Sequence, residues 1–183
     1  MTELLEDLLD ILIRCSIAHM VVGSVSSSLY GQARTTQDLD VVVELDLAQL
    51  AHLITMLPES RYYLSPETAR EAIRRRSQFN VIDLGTGGKV DLMVLKGRPF
   101  SQMEFQRRCP VELLGRTISV ASVEDVILSK LEWNKITPSE RQIRDVVGIL
   151  SVQAEAVDRA YLQHWAQELG VAAKLNEILA VLE

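Results

Sequence analysis

Asp38 and Asp40 stand one residue apart at the head of an apolar run, Val41 to Val43. Alternate side chains of an extended strand share a face, so the two carboxylates project together while Leu39 and Val41 project to the other side. Side-by-side carboxylates repel, and a divalent cation held by hard oxygen ligands is the simplest neutraliser. A third acid, Asp91, interrupts a second apolar series, Val90 to Leu95, where an unpaired charge would be costly to bury. Upstream, Met20 to Val22 run into Gly23-Ser24, and Ser26, Ser27 and Ser28 follow. A strand that ends in glycine at a helix start offers free backbone N–H groups and a favourable dipole to a phosphate, and glycine lets the backbone come close. Three aspartates able to hold one or two Mg²⁺ (or Mn²⁺) beside such a turn describe phosphoryl or nucleotidyl transfer. The metal would polarise a triphosphate and lower the pKa of an attacking hydroxyl.

The elements that must position these residues are legible from periodicity. Leu4, Leu5, Leu8, Leu9, Ile11 and Leu12 fall at helical spacing between acids, which predicts an amphipathic helix over 3–13. Ile17 to Val22 reads as a strand, Ser24 to Tyr30 as a short helix with Gly31 beyond its end, and Asp38 to Leu45 as the next strand. Four serines are mediocre helix formers, so that short helix is expected to keep them for their hydroxyls. Asp46 caps a helix that Pro58 stops, Arg61 to Leu64 is a short strand, and Ser65-Pro66 starts a helix to Arg76. Gln78–Leu84 and Lys89–Leu95 read as a hairpin around Gly85 to Gly88. A helix over Pro99–Arg108 and one or two strands over Val111–Val120, broken by Gly115, complete this part. Capping boxes at Ser122 to Asp125 and at Thr137 to Glu140 then open helices, and Gly170 divides two more, Asp158–Leu169 and Val171–Leu182. The expected fold class is α/β (α+β): a mixed β-sheet with flanking helices, residues 1–120, followed by a C-terminal helical bundle, residues 121–183, packed on it as one continuous domain.

Composition excludes several classes. A chain of 183 residues with 48% hydrophobic and 24% charged residues can bury a core and is not a disordered polymer. Its formal charge of −6 argues against a surface devoted to sequence-independent nucleic-acid binding. The charge is uneven: Arg61 to Arg116 carry 11 Lys and Arg against 6 Asp and Glu, a local +5 that leaves −11 on the rest. The run Arg74 to Arg76 reads first as a solvated helix face. No apolar stretch approaches the roughly 18 residues of a membrane span, and no basic segment precedes an apolar one near residue 1, so a cytoplasmic location is expected. Cys15 and Cys109 lack metal-ligand spacing and read as buried reduced thiols.

Gly23-Ser24, thirteen intervening residues, then Asp38-Leu39-Asp40 and a later Asp91 resemble the nucleotidyltransferase superfamily related to DNA polymerase beta. Arg34 and Thr36, with Lys130 and the Arg144-Asp145-Val146 string downstream, extend the likeness to the small bacterial branch that includes the abortive-infection type IV toxins and uncharacterised relatives. The resemblance covers about residues 15 to 150. It implies that Gly23, Ser24 and Ser27 line a triphosphate cradle. Asp38, Asp40 and Asp91 would ligate metal and form the catalytic set, with Asp91 helping to deprotonate the acceptor. Arg34 and Lys130 would approach phosphates, and Asp145 would orient Lys130. The activity implied is transfer of NMP from an NTP to a hydroxyl of an RNA or protein, with a toxin–antitoxin setting and an antitoxin partner.

Competing readings attach to several residues. Asp91 can instead pair with an arginine of the 74–76 run, Lys130 can be a surface lysine, and Arg144 suits a helical ion pair with Glu140. His19, His52 and His164 share no spacing that suggests a site, and Trp133 and Trp165 read as packing residues of the helical end. At the level of the whole chain, the alternative is a catalytically silent binding module or antitoxin-like partner that keeps the fold. Three clustered carboxylates weigh against it.

Overall fold

Apolar residues of α1 (Glu3–Arg14) are buried against one face of a sheet, as their helical spacing requires. The computed structural model describes residues 3–32, 39–113 and 115–182. Beyond α1 the chain runs β1 (Ala18–Val22), α2 (Gly23–Tyr30), β2 (Leu39–Glu44), α3 (Leu47–Met56), β3 (Tyr62–Tyr63), α4 (Pro66–Arg75), β4 (Gln78–Asp83) and β5 (Lys89–Val94). It continues through α5 (Pro99–Gln106), β6 (Cys109–Leu113) and β7 (Arg116–Val120) to four helices, α6 (Val123–Ile136), α7 (Glu140–Gln153), α8 (Arg159–Glu168) and α9 (Ala172–Leu182). The strands form one sheet in the order β3-β4-β5-β2-β1-β7-β6. It is mixed: β2 pairs antiparallel with β1 and parallel with β5, and β1 pairs parallel with β7.

Strand alternation divides the core in two. Val21 of β1, Leu39, Val41 and Val43 of β2, and Val90, Leu92 and Val94 of β5 are buried with α1 and residues of α3 and α4. Met20 joins the other cluster, which the C-terminal helices build from Ile127, Leu128, Leu131, Ile149, Leu162, Leu175 and their neighbours. Val22 and Val42 pack against that second cluster. The helical end therefore lies on the sheet face toward which the even-numbered residues of β2 point.

Local signals act as expected at most starts. Asp46 and Gln49 form a reciprocal capping box, and Ser65 accepts from the Thr68 N–H ahead of Pro66. The box expected at Thr137 does not form. Thr137 precedes a proline, which disfavours helical backbone, and serves instead as the C-cap of α6. The N-cap of α7 is Ser139, without a side-chain cap bond. Pro110 lies within β6, two residues of which precede the expected start, and is tolerated because β6 is an edge strand. Cys15 is buried and Cys109 half-buried, both as free thiols. No helix among the described residues is long and apolar enough to cross a membrane.

Candidate active site

The parallel register of β2 and β5 places Asp40 opposite Asp91. Leu39 and Val41 fill the core on one side, so Asp40 projects to the other, and Asp91 does the same between Val90 and Leu92. Two carboxylates that are far apart in sequence thus become neighbours on the face below the helical end. Asp38 and Arg34, expected to complete the metal and phosphate set, lie outside the described residues. Among the described residues no three His, Cys, Asp or Glu side chains group as metal ligands.

Asp91 has found a charge partner, though not the one expected. Lys89, two residues earlier on the same strand face, donates to both of its oxygens at 3.1 Å, and Asn80 across the strand pair donates to Oδ1. Arg74 and Arg75 pair with Glu71, and Arg76 donates to the Leu95 carbonyl at 2.8 Å. The Asp40 carboxylate occupies the volume that a side chain at residue 23 would need: a Cβ built on Gly23 falls 2.2 Å from Asp40 Oδ2. Two hard carboxylates at adjacent register positions, over a turn stripped of its side chain and already drawing an ammonium, suit a small divalent cation.

Gly23 takes φ +65°, a left-handed turn between β1 and α2 that L side chains rarely adopt. Ser24 follows it, buried at the cavity wall, and Arg141 Nη2 donates to its Oγ at 3.1 Å. The other serines turn inward. Ser26 Oγ donates to the Val21 carbonyl at 2.8 Å, while Ser27 and Ser28 donate to the Ser24 carbonyl at 3.1 and 2.9 Å. The hydroxyls explain how this weak helix former holds its turn, and only Ser24 opens on the cavity. Ser27, expected in the cradle, sits behind the wall, with its hydroxyl 3.5 Å from Asp145 Oδ2.

Lys130 lines the cavity yet is only 6% exposed, so the surface-lysine reading falls. Its ammonium donates to Asp145 Oδ2 at 2.6 Å and to Gln142 Oε1 at 3.1 Å. Asp145 stands behind it, outside the lining, in the place of a positioning group. Arg141 escaped the sequence reading. Its one signal was its place in the first turn of a helix three residues after Pro138, which marks no chemistry.

The cavity, about 360 Å³, is closed on its further side by α5 and α6. Trp133, expected to pack, is 53% exposed and lines this cavity, because Ile127, Leu128 and Leu131 take the core face of α6 while Ser129, Lys130 and Trp133 share another. Trp165 does pack, 5.3 Å from the Phe100 ring. Glu104 lines the same wall, buried, with Ser129 Oγ donating to its Oε1 at 2.9 Å. Burial, only partly offset by that hydrogen bond, pushes its carboxyl up to about 7. Arg98 pairs with Glu132 through both terminal nitrogens, one bond at 2.6 Å, and donates Nε to Ser101 at 2.9 Å.

No family model matches the chain, and no curated protein matches it in sequence. Solved structures do match. ANT(2")-Ia in complex with adenylyl-2"-tobramycin is 11% identical, over 91% of this chain and 94% of that one, with a TM-score of 0.62. The lincosamide antibiotic adenylyltransferase LnuA, lincomycin-bound, is 16% identical over 82% and 98%, with a TM-score of 0.57. An antigenic nucleotidyltransferase-like protein from Paracoccidioides brasiliensis is 18% identical over 95% and 89%, with a TM-score of 0.56. At such identities the likeness is one of architecture, and this chain has the mixed-sheet α/β fold of these nucleotidyltransferases, C-terminal helices included.

Proposed function

We propose that the protein is a nucleotidyltransferase that binds an NTP and moves its NMP to a hydroxyl. The observation that carries this is the register of Asp40 with Asp91, on one cavity with the Gly23 turn, Lys130 and Arg141. In this reading Asp40 and Asp91, together with Asp38, hold Mg²⁺ or Mn²⁺, which when bound neutralises triphosphate charge and lowers the pKa of the acceptor hydroxyl. The backbone at Gly23-Ser24 approaches the phosphates without steric hindrance, and Arg141, already on the Ser24 hydroxyl, is within the same wall to meet their charge. Lys130 adds a second cation, aimed by Asp145 and Gln142. Asp91 takes the acceptor proton as the acceptor oxygen bonds to the α-phosphorus. The bond from that phosphorus to the bridging oxygen breaks, and pyrophosphate leaves.

The adenylyl product and the adenylyltransferase name of two neighbours make ATP the first nucleotide to try. The acceptor expected from the resemblance is RNA or protein, and the setting a toxin–antitoxin pair. Calorimetry with Mg²⁺ and each NTP, then incubation of α-labelled NTP with cellular RNA and protein, tests the reading. Binding abolished by Asp40→Ala and Asp91→Ala, with label transferred by the wild type alone, supports it. A protein that binds no NTP in an aspartate-dependent way is not this enzyme, and one that binds a single protein partner without transfer is the silent module.

A further inference from the structure

Glu104 has no role in the donor chemistry, yet it is one of the most unusual groups on the cavity. Its Oε1 accepts from Ser129, whereas Oε2 has no hydrogen-bond partner among the described residues, and no described cation lies at ion-pair distance. The cations around it are committed elsewhere. Arg98 faces it but forks onto Glu132, Lys130 next to Ser129 on α6 is held by Asp145, and Arg107 beyond the end of α5 pairs with Glu124 and Asp125, while Lys96 ahead of α5 also lines the cavity. Asp125 and Glu132 add like charge. The buried carboxyl is therefore an acid with no ion-pair partner among the described residues, on a wall where Lys96 and Arg98 stand against Glu132 and Glu104 itself, and an unpaired buried acid has much to gain from a cation. The indole of Trp133, more than half exposed on the same wall, offers a second attraction for a cation through its face.

We propose that this α5–α6 wall is the acceptor subsite and that it takes a small molecule carrying both a protonated amine and a hydroxyl, with Glu104 and Trp133 selecting the amine. The inference rests on the nucleotidyltransferase reading for the word acceptor, but not for the binding itself. It replaces the RNA or protein acceptor expected from the resemblance. A cavity of about 360 Å³ is the size of a small-molecule site. Because Glu104 titrates near neutrality, a bound ammonium favours its anion. Amine binding then releases a proton at pH 6 and tightens as pH rises through 7.

The probes are trans-4-aminocyclohexanol, which stays protonated over this range, its neutral counterpart trans-1,4-cyclohexanediol, and a ten-nucleotide single-stranded RNA. Each is titrated into the full chain by ligand-observed NMR and tryptophan fluorescence at pH 6 and pH 8, with and without ATP and Mg²⁺. The amine should bind at least about tenfold tighter than the diol, tighten several-fold from pH 6 to pH 8, and lose both advantages in Glu104→Gln. Trp133→Ala should weaken the amine and leave its pH dependence. Equal affinity for amine and diol, a flat pH profile in the wild type, or RNA binding that excludes the amine would each overturn the proposal. The wild-type comparison needs no variant, so a Glu104→Gln protein that fails to fold does not remove the test. Nucleotide binding without amine preference sinks this inference alone. Amine preference without nucleotide binding sinks the transferase reading and leaves the amine site standing.

Discussion

Replacing Gly23 by alanine separates two demands that meet at one residue. The left-handed φ of +65° costs an alanine about 1–2 kcal/mol, partly offset by about 0.4–1 kcal/mol from the stiffer unfolded chain. The contact is the larger matter: the new Cβ would lie 2.2 Å from Asp40 Oδ2, where 3.0 Å is the nearest approach a real Cβ makes, so the carboxylate must retreat by roughly 1 Å. A displacement of that size at a reacting centre costs about 100-fold in rate. Gly87 supplies the control, with φ +71° and nothing within 4 Å of its added Cβ. Gly87→Ala carries the backbone cost alone and should lower Tm by about 2–4 °C for a chain of this size, with label transfer from NTP within twofold of wild type. Gly23→Ala should lower Tm at least as much and transfer about 100-fold more slowly. Thermal unfolding and single-turnover transfer on the three proteins decide it. If Gly23→Ala transfers within threefold of wild type, Asp40 does not act from the position described, and the glycine serves only the turn.

Asp145→Ala should destabilise the fold by about 3 kcal/mol in urea unfolding, since Lys130 would remain buried without its counter-charge, and the double replacement Lys130→Met with Asp145→Leu should recover most of that loss. The raised Glu104 carboxyl stabilises the fold fully below its unfolded value near 4.5, and that contribution is lost as pH rises through about 7. Its ionisation should therefore cost the wild type up to about 3 kcal/mol between pH 4.5 and 8, a slope absent from Glu104→Gln. Tyr161→Phe removes the 2.6 Å hydrogen bond to the fully buried Asp125 and should cost about 1–3 kcal/mol by thermal unfolding, because Ser122 and Arg107 still serve that carboxylate. Lys89→Met frees Asp91 of a competing cation and should tighten Mn²⁺ several-fold in an EPR titration; unchanged affinity would show that Lys89 does not contest the site.

Legibility followed the range of the interaction. Helix starts at Asp46 and Ser65 were readable because a cap is satisfied within three residues. The first strand shortened to Ala18–Val22 because Ser16 turns with φ +53°, which no propensity marks. The Asp40–Asp91 pairing was half visible: alternation gave each carboxylate its face, but their adjacency depends on β5 entering the sheet beside β2, and nothing local encodes strand order. Lys89 is readable in the same way as Asp91, two residues away on one face, whereas Arg74 and Arg75 are held by Glu71 and Arg76 by the Leu95 carbonyl.

The wall of α5 and α6 was silent for a different reason. Glu104 lies in a short helix whose apolar residues Phe100 and Phe105 suggest only packing, and its chemistry arises from losing water to elements that follow it in the chain. Trp133 was misread because aromatic residues in helical ends are usually buried, whereas here the core face of α6 is already filled by Ile127, Leu128 and Leu131. The same helix that carries Lys130 on the cavity wall therefore carries Ser129 and Trp133 on an adjoining strip of its surface. Lys130 stands one residue after Ser129 and three before Trp133 on one rigid helix, so the proposed donor and acceptor groups keep a fixed separation, and any change that rotates α6, such as loss of its Asp125 anchor to Tyr161 and Arg107, must disturb both together.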